Sequence, residues 1–208
     1  MPLFINCTKK IYQLRFKNPL KINLGMINLV REMTETNLRS AYAGESQAHM
    51  RYSIYAERAK EEFPNVSRLF TAVAFAEQIH ATNHYRNIET KGGATTVSAA
   101  VFGTRTTSED LQAGIDGETF EITEMYPVYK AVAEFQEEKG AVRSFNAAYQ
   151  AEQVHLALYE KAKEAVDQGN DFEVGEIQIC GVCGYTLEGD APDFCPICGA
   201  PREKFKAF

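Results

Sequence analysis

The sequence predicts an all-α four-helix bundle followed by a small metal-bound domain of strands and turns. Three observations predict it: four long segments with helical periodicity, one long connection between the middle two, and four cysteines in the last 29 of 208 residues. The composition, 45% hydrophobic and 24% charged, is that of a globular protein. A net charge of −6 disfavours nucleic acid as a partner, and the absence of a long apolar run disfavours a membrane-spanning helix.

A basic segment, residues 1–31, precedes the first predicted helix. It contains six Lys or Arg residues and no acidic residue. Two interpretations remain open: an organellar transit peptide, or translation that starts later, at Met26 or Met33. We therefore expect a cytoplasmic protein, or an organellar one if the segment is a real transit peptide.

Helical periodicity then predicts the bundle, residues 32–168. The expected helices cover residues 34–62, 66–89, 117–138 and 141–168. Gly92-Gly93 ends the second helix, a short helical piece is expected near Ser108–Ala113, and Pro127 should bend the third helix. A long middle connection between helix pairs is typical of a ferritin-like bundle. A polar linker, 169–175, leads to the tail, residues 176–208.

Acids and histidines occupy the helix faces that should be buried. The second helix carries Glu77-x-x-His80 and the fourth carries Glu152-x-x-His155, and residues three apart project from one helix face. Lone glutamates precede them at similar distances: Glu45 lies 32 residues before the first motif and Glu118 lies 34 before the second. A single Glu-x-x-His is weak evidence, but two in register predict a di-metal site.

The predicted site includes a fifth carboxylate, Glu121, one helical turn after Glu118. Five buried carboxylates cannot stay ionised without positive charge, and two ferrous or ferric ions would supply it. Carboxylate and imidazole ligands without thiolate suit iron or manganese.

Other polar residues lie near the motifs. We expect His49 and His84 to be satisfied or partly exposed histidines that do not bind metal. Tyr52 and Tyr126 could hydrogen-bond a carboxylate ligand, but core packing explains them equally well. Glu124 is expected to be an exposed acid.

Two knuckles, Cys180-Gly-Val-Cys183 and Cys195-Pro-Ile-Cys198, predict a four-thiolate metal site in the tail. Zinc or a single iron would fit, and the tail is too small to fold without metal. Tyr185, Phe194 and Phe205 should form what core it has. A di-iron bundle needs an electron supply, which favours iron over a structural zinc ribbon, although zinc could occupy the site in recombinant protein.

These motifs together resemble rubrerythrins over residues 34–208. The matching strings are Ala43-Gly44-Glu45-Ser46-Gln47, Glu77-x-x-His80, Gly117-Glu118-x-x-Glu121 followed by Glu124-Met125-Tyr126-Pro127, Glu152-x-x-His155 and the two cysteine knuckles. The resemblance implies a ferritin-like bundle with a rubredoxin-like tail. It also implies a hydrogen peroxide reductase of oxidative-stress defence, supplied by a rubredoxin or an NAD(P)H-dependent reductase.

The resemblance further implies the role of each site residue. It makes Glu45, Glu77, Glu118, Glu152 and His155 ligands of two irons, and Cys180, Cys183, Cys195 and Cys198 ligands of a third. Glu121 and His80 would exchange as ligands of one iron during redox change, with Glu121 as a proton relay. A homodimer or higher oligomer is implied, in which one subunit's tail lies near the other's di-iron site; the long connection would permit helix exchange.

Two other functions compete with this hypothesis. An iron-oxidising storage protein would have to assemble into a shell, which gel filtration would detect. A non-enzymatic binding protein would carry zinc in the tail, which metal analysis would detect.

The basic segment generates the first prediction. A chain that starts at Met33 should keep its iron content and its rate of peroxide reduction, because the segment precedes the first helical stripe and carries no expected ligand. Iron analysis and a peroxide assay on purified protein test this. Loss of iron, or failure to fold, would show instead that the segment packs on the bundle.

Overall fold

The computed structural model describes residues 31–89, 94–96, 98 and 100–208 of the chain. The basic segment, apart from residue 31, and Gly92-Gly93 lie outside the described residues. The helices are α1 (Glu32–Ala59), α2 (Pro64–Arg86), α3 (Thr107–Phe120), α4 (Tyr126–Phe135) and α5 (Lys139–Asp167), and a π-helical turn (Glu121–Met125) joins α3 to α4. The strands of the tail are β1 (Ile177–Cys180), β2 (Thr186–Glu188) and β3 (Phe205–Ala207).

Four rods form the predicted bundle: α1, α2, the continuous α3–π–α4 unit and α5. The central aromatic cluster joins three of them through Tyr52 on α1, Phe70 on α2 and Tyr159 on α5, with ring centroids 5.3–5.9 Å apart. Burial of these large side chains removes apolar surface from water and so stabilises the bundle. None of the described helices is long and apolar enough to cross a membrane.

The third rod begins ten residues earlier than its sequence periodicity indicates. The helical piece expected near Ser108–Ala113 is the start of α3, since Thr106 and Glu109 form a capping box at its first turn. Glycine is unfavourable inside a helix, so Gly114 makes this segment look less helical from its sequence. The packing nevertheless requires glycine, because an added Cβ would lie 2.9 Å from the Tyr159 ring. Irregularity near Pro127 was expected, and the structure places it in the π turn just before α4.

The turn between α4 and α5 also differs from the prediction. The sequence predicts the last helix from residue 141, but α5 begins at Lys139 and includes Gly140. The left-handed position is instead Glu137, with φ of 64°.

The tail is a three-stranded antiparallel sheet in the order β2-β1-β3. Both knuckles close in the same way: the N–H of Gly184 donates to the Cys180 carbonyl, and that of Gly199 to the Cys195 carbonyl, each at 2.9 Å. Both glycines have positive φ, +80° and +73°. Phe194 was expected in the tail core but is 67% exposed, and the buried cysteines take its place in the packing.

The tail packs on the bundle of its own chain. Ile177 and Ile179 of β1 are buried in the same apolar cluster as Phe70. Arg68 on α2 donates to the carbonyls of Val174, Gly175 and Phe208 at 2.8–3.0 Å. In the linker, Asp171 accepts from the Asn65 and Val66 N–H groups, so it caps the N-terminus of α2. These contacts turn the chain back onto its own helices.

Two helix-interior glycines provide a matched test of the bundle packing. Gly114→Ala should destabilise the protein by about 1–3 kcal/mol, because the new methyl group would overpack against the buried Tyr159 ring. Gly44→Ala, on α1, should stabilise it by about 0.5–1 kcal/mol, because nothing lies within 4 Å of the added Cβ. Denaturant unfolding of both variants measures the difference, and equal effects would contradict the packing described for α3.

Candidate metal centres

Two groups of potential ligands lie in the middle of the bundle. The first comprises Glu45, Glu77, His80 and Glu152, and the second comprises Glu77, Glu118, Glu152 and His155. Within each group the ligand atoms all lie within 4.8 Å of one another. Glu77 and Glu152 belong to both groups, so each could bridge two metal ions.

The two motif histidines point their Nδ1 atoms at the shared carboxylates. The Nδ1 of His80 lies 2.8 Å from Glu77 Oε2 and 3.1 Å from Glu152 Oε1. The Nδ1 of His155 lies 2.8 Å from Glu152 Oε2, 3.3 Å from Glu77 Oε1 and 3.9 Å from Glu118 Oε2. Each Glu-x-x-His pair therefore projects from one helix face into the site, as the spacing predicts.

The residues present fit a pair of metal ions. Seven of their side-chain atoms are buried without a hydrogen-bond partner: Glu45 Oε2, Glu77 Oε1, His80 Nε2, Glu118 Oε2, both carboxylate oxygens of Glu152 and His155 Nδ1. Such atoms are costly unless something binds them. Burial and the charges of Glu77 and Glu152 raise the pKa values of Glu45 and Glu118 well above their usual range.

The surroundings of His155, in contrast, favour its positively charged form. Burial opposes protonation of His155, but the nearby carboxylates of Glu152 and Glu77 outweigh it and raise its pKa to about 10. Without metal, the site thus collects protons to offset its negative charge. Metal cations would supply that positive charge instead.

Glu121 opens the π turn, next to the site but outside both ligand groups. Its side chain is half-buried, and burial together with the charges of Glu45 and Glu118 raises its pKa well above the usual value. The structure thus brings His80 into a ligand group and leaves Glu121 beside it. An exchange between these two residues stays a prediction.

A buried hydrogen-bonded chain reaches the site from α5. Ser144 Oγ lies 2.8 Å from His84 Nδ1, His84 Nε2 lies 3.1 Å from the Tyr126 hydroxyl, and that hydroxyl donates to Glu45. Burial, with the charge of His80, lowers the pKa of His84 to about 3, so it is a neutral, fully buried link.

The remaining candidates are also placed. The Tyr52 hydroxyl donates to Glu118 Oε1 at 2.8 Å, so Tyr52 and Tyr126 contact carboxylates as well as packing in the core. His49 Nδ1 lies 2.7 Å from the Ala74 carbonyl oxygen, outside both ligand groups. Glu124 is exposed.

The four tail cysteines converge as a second centre, with their sulfur atoms all within 4.8 Å of one another. Cys180, Cys183 and Cys195 are buried and Cys198 is exposed. Four sulfurs so close together, paired by two knuckles, suit one tetrahedral metal ion.

The tail touches the di-metal groups through two residues that sequence reasoning missed. An added Cβ at Gly184, directly after Cys183, would overlap Nε2 of His80. Thr186 Oγ1 lies 2.7 Å from Nε2 of His155. The structure shows these contacts within one chain, and the proximity between subunits that the family resemblance implies stays a prediction. No local pattern could have predicted these contacts, because they join segments far apart in sequence.

Comparisons with known proteins agree with this arrangement. The family model for rubrerythrin matches residues 36–163, and the model for the rubrerythrin rubredoxin-like domain matches residues 178–206. Rubrerythrin-2 of Clostridium acetobutylicum is 45% identical over 178 residues, covering 85% of this chain and 97% of the relative. Nigerythrin of Nitratidesulfovibrio vulgaris is 33% identical, covering 84% and 86%.

A solved structure agrees as well. Nigerythrin in a partially reduced state superposes with a TM-score of 0.72 at 33% identity, covering 84% of this chain and 86% of that one. The carboxylate–histidine groups and the four-cysteine site match the iron cofactors of rubrerythrins: two irons in the bundle and one in the tail. The family models match the bundle and the tail, the relatives align with this chain over most of their length, and the ligand groups of both metal centres are present. This chain therefore belongs to the rubrerythrin family.

Proposed function

We propose that this oxidoreductase reduces hydrogen peroxide to water in defence against oxidative stress. One observation carries the proposal: the tail cluster lies against the di-iron groups, with Gly184 on the ring of His80 and only a peptide bond from Cys183. A redox-active iron site in contact with a di-iron site suits a reaction in which the di-iron site must be reduced again after each turnover.

In this proposal the di-iron ligands would be Glu45, Glu77, His80, Glu118, Glu152 and His155, with Glu121 and His80 exchanging as ligands of one iron when its oxidation state changes. When bound, the two irons would supply the two electrons needed to break the O–O bond of peroxide. Glu77 and Glu152, which belong to both ligand groups, would help to hold both ions, and Tyr52 and Tyr126 orient Glu118 and Glu45 through their hydroxyl groups.

Two protons must reach the oxygens when peroxide becomes two waters. Glu121 is placed to hold one, since burial and neighbouring carboxylates favour its protonated form beside the ligand groups. Its position at a π turn supports movement of this side chain toward the site.

Electrons would enter the tail where Cys198 is exposed and leave where Cys183 is buried against the bundle. The donor is proposed to be a rubredoxin or an NAD(P)H-dependent reductase. A homodimer or higher oligomer, and a cytoplasmic or organellar location, also remain proposals.

The tail provides a sharp test of this electron supply. Protein with zinc in the four-cysteine site and iron in the bundle should react once with peroxide after chemical reduction, but its donor-driven turnover should stop because zinc cannot change oxidation state. Stopped-flow and steady-state peroxide assays, with all-iron protein as the control, measure both. Unchanged donor-driven turnover with a zinc tail would refute the assigned route.

Glu121 provides a test of the peroxide chemistry. Glu121→Ala should keep two irons, favour the ferrous pair and react with peroxide about 10–100-fold more slowly, since it loses the proton relay and a redox-linked ligand. Single-turnover kinetics and iron analysis measure this. Glu124→Ala is the control, because that residue is exposed one turn further on. Wild-type kinetics in Glu121→Ala would leave Glu121 a solvated acid.

A further inference from the structure

The tail inserts the hydroxyl group of Thr186 against the bundle. Thr186 lies on β2 and is fully buried. Its hydroxyl donates to the Gly184 carbonyl at 3.2 Å, so toward His155 Nε2, 2.7 Å away, it acts as an acceptor. Nε2 of His155 therefore carries the hydrogen in this contact.

This contact fixes which nitrogen of His155 is free for a metal. With a hydrogen held at Nε2 by Thr186, the nitrogen left to bind a metal is Nδ1, which faces Glu77, Glu118 and Glu152. Partners of this kind orient metal-binding histidines, and their removal weakens metal binding. Among the described residues, the hydrogen-bond partner of His155 Nε2 is Thr186, which belongs to the tail.

We propose that Thr186 is a positioning residue for the bundle metals, and that occupancy of the tail site and of the di-metal site stabilise each other through it. The proposal rests on the assignment of His155 as a ligand. It gives the tail a role besides electron supply, as a structural part of the di-iron site.

The tail metal sets the position of Thr186 through short connections. Thr186 pairs with Ile179 of β1, next to Cys180, and lies three residues after Cys183. The Cys180 N–H donates to the Tyr185 carbonyl at 2.9 Å, which locks the strand start to the knuckle. Since so small a domain depends on metal for folding, loss of the tail metal should release Thr186 from His155. Linkage then requires the reverse effect with equal free energy.

The first experiment measures metal affinity of the bundle in full-length protein. Chelator competition with Co²⁺ as the probe should show about 10–100-fold weaker binding at the di-metal site in Thr186→Val, while absorbance of the tail iron stays unchanged. Thr186→Ser should restore the affinity, since it keeps the hydroxyl. Tyr185→Phe is the matched control, because it removes the hydroxyl of the adjacent residue. Wild-type affinity in Thr186→Val would overturn the proposal.

The second experiment uses unaltered protein, so it holds even if Thr186→Val cannot fold its tail. A chelator should extract the tail metal several-fold faster when the di-metal site has been emptied than when it is filled. Equal extraction rates would also overturn the proposal. Neither readout involves peroxide, so failure of the proposed peroxide chemistry would leave both results interpretable, and peroxide reduction could stand if the coupling failed.

Discussion

The structure depends on the burial of several carboxylates in one place. Glu45, Glu77, Glu118 and Glu152 project from four different rods into an otherwise apolar bundle. Unpaired, their charges would oppose the packing that holds Tyr52, Phe70 and Tyr159 together. Metal cations convert this repulsion into cross-links between the rods, so the same ions that serve the chemistry also hold the helices together. In the tail, likewise, one metal ion would hold four cysteine thiolates together beside a much smaller apolar core.

The sequence predicted those parts of the site that are encoded within single helices. The two Glu-x-x-His pairs and the preceding glutamates were identified because i, i+3 spacing maps directly onto one helix face. The cysteine knuckles were identified because a short loop alone brings the two thiolates of each pair together. All of them meet in the structure in the two predicted centres.

Other features could not be predicted because they arise between distant segments. From the sequence alone Gly114 indicates a helix break, and only the structure shows that the Tyr159 ring packs against it. His84 looks like an isolated histidine until Ser144 and Tyr126 are seen on its two nitrogens. The contacts of Gly184 and Thr186 with the motif histidines depend on how the linker returns the tail to the bundle. Asp171 helps to set that path by capping α2.

The contact of the tail with its own bundle has a kinetic consequence. Two sites joined by a short chain meet at a high effective concentration, set by the linker and not by the amount of protein in solution. In the proposed function, transfer of an electron from Cys183 toward His80 within one chain would therefore be first order, and dilution of the protein would not slow it. Only the encounter with the proposed external donor would then be bimolecular, so the scarcity of that donor, and not of the protein itself, would limit the supply of electrons.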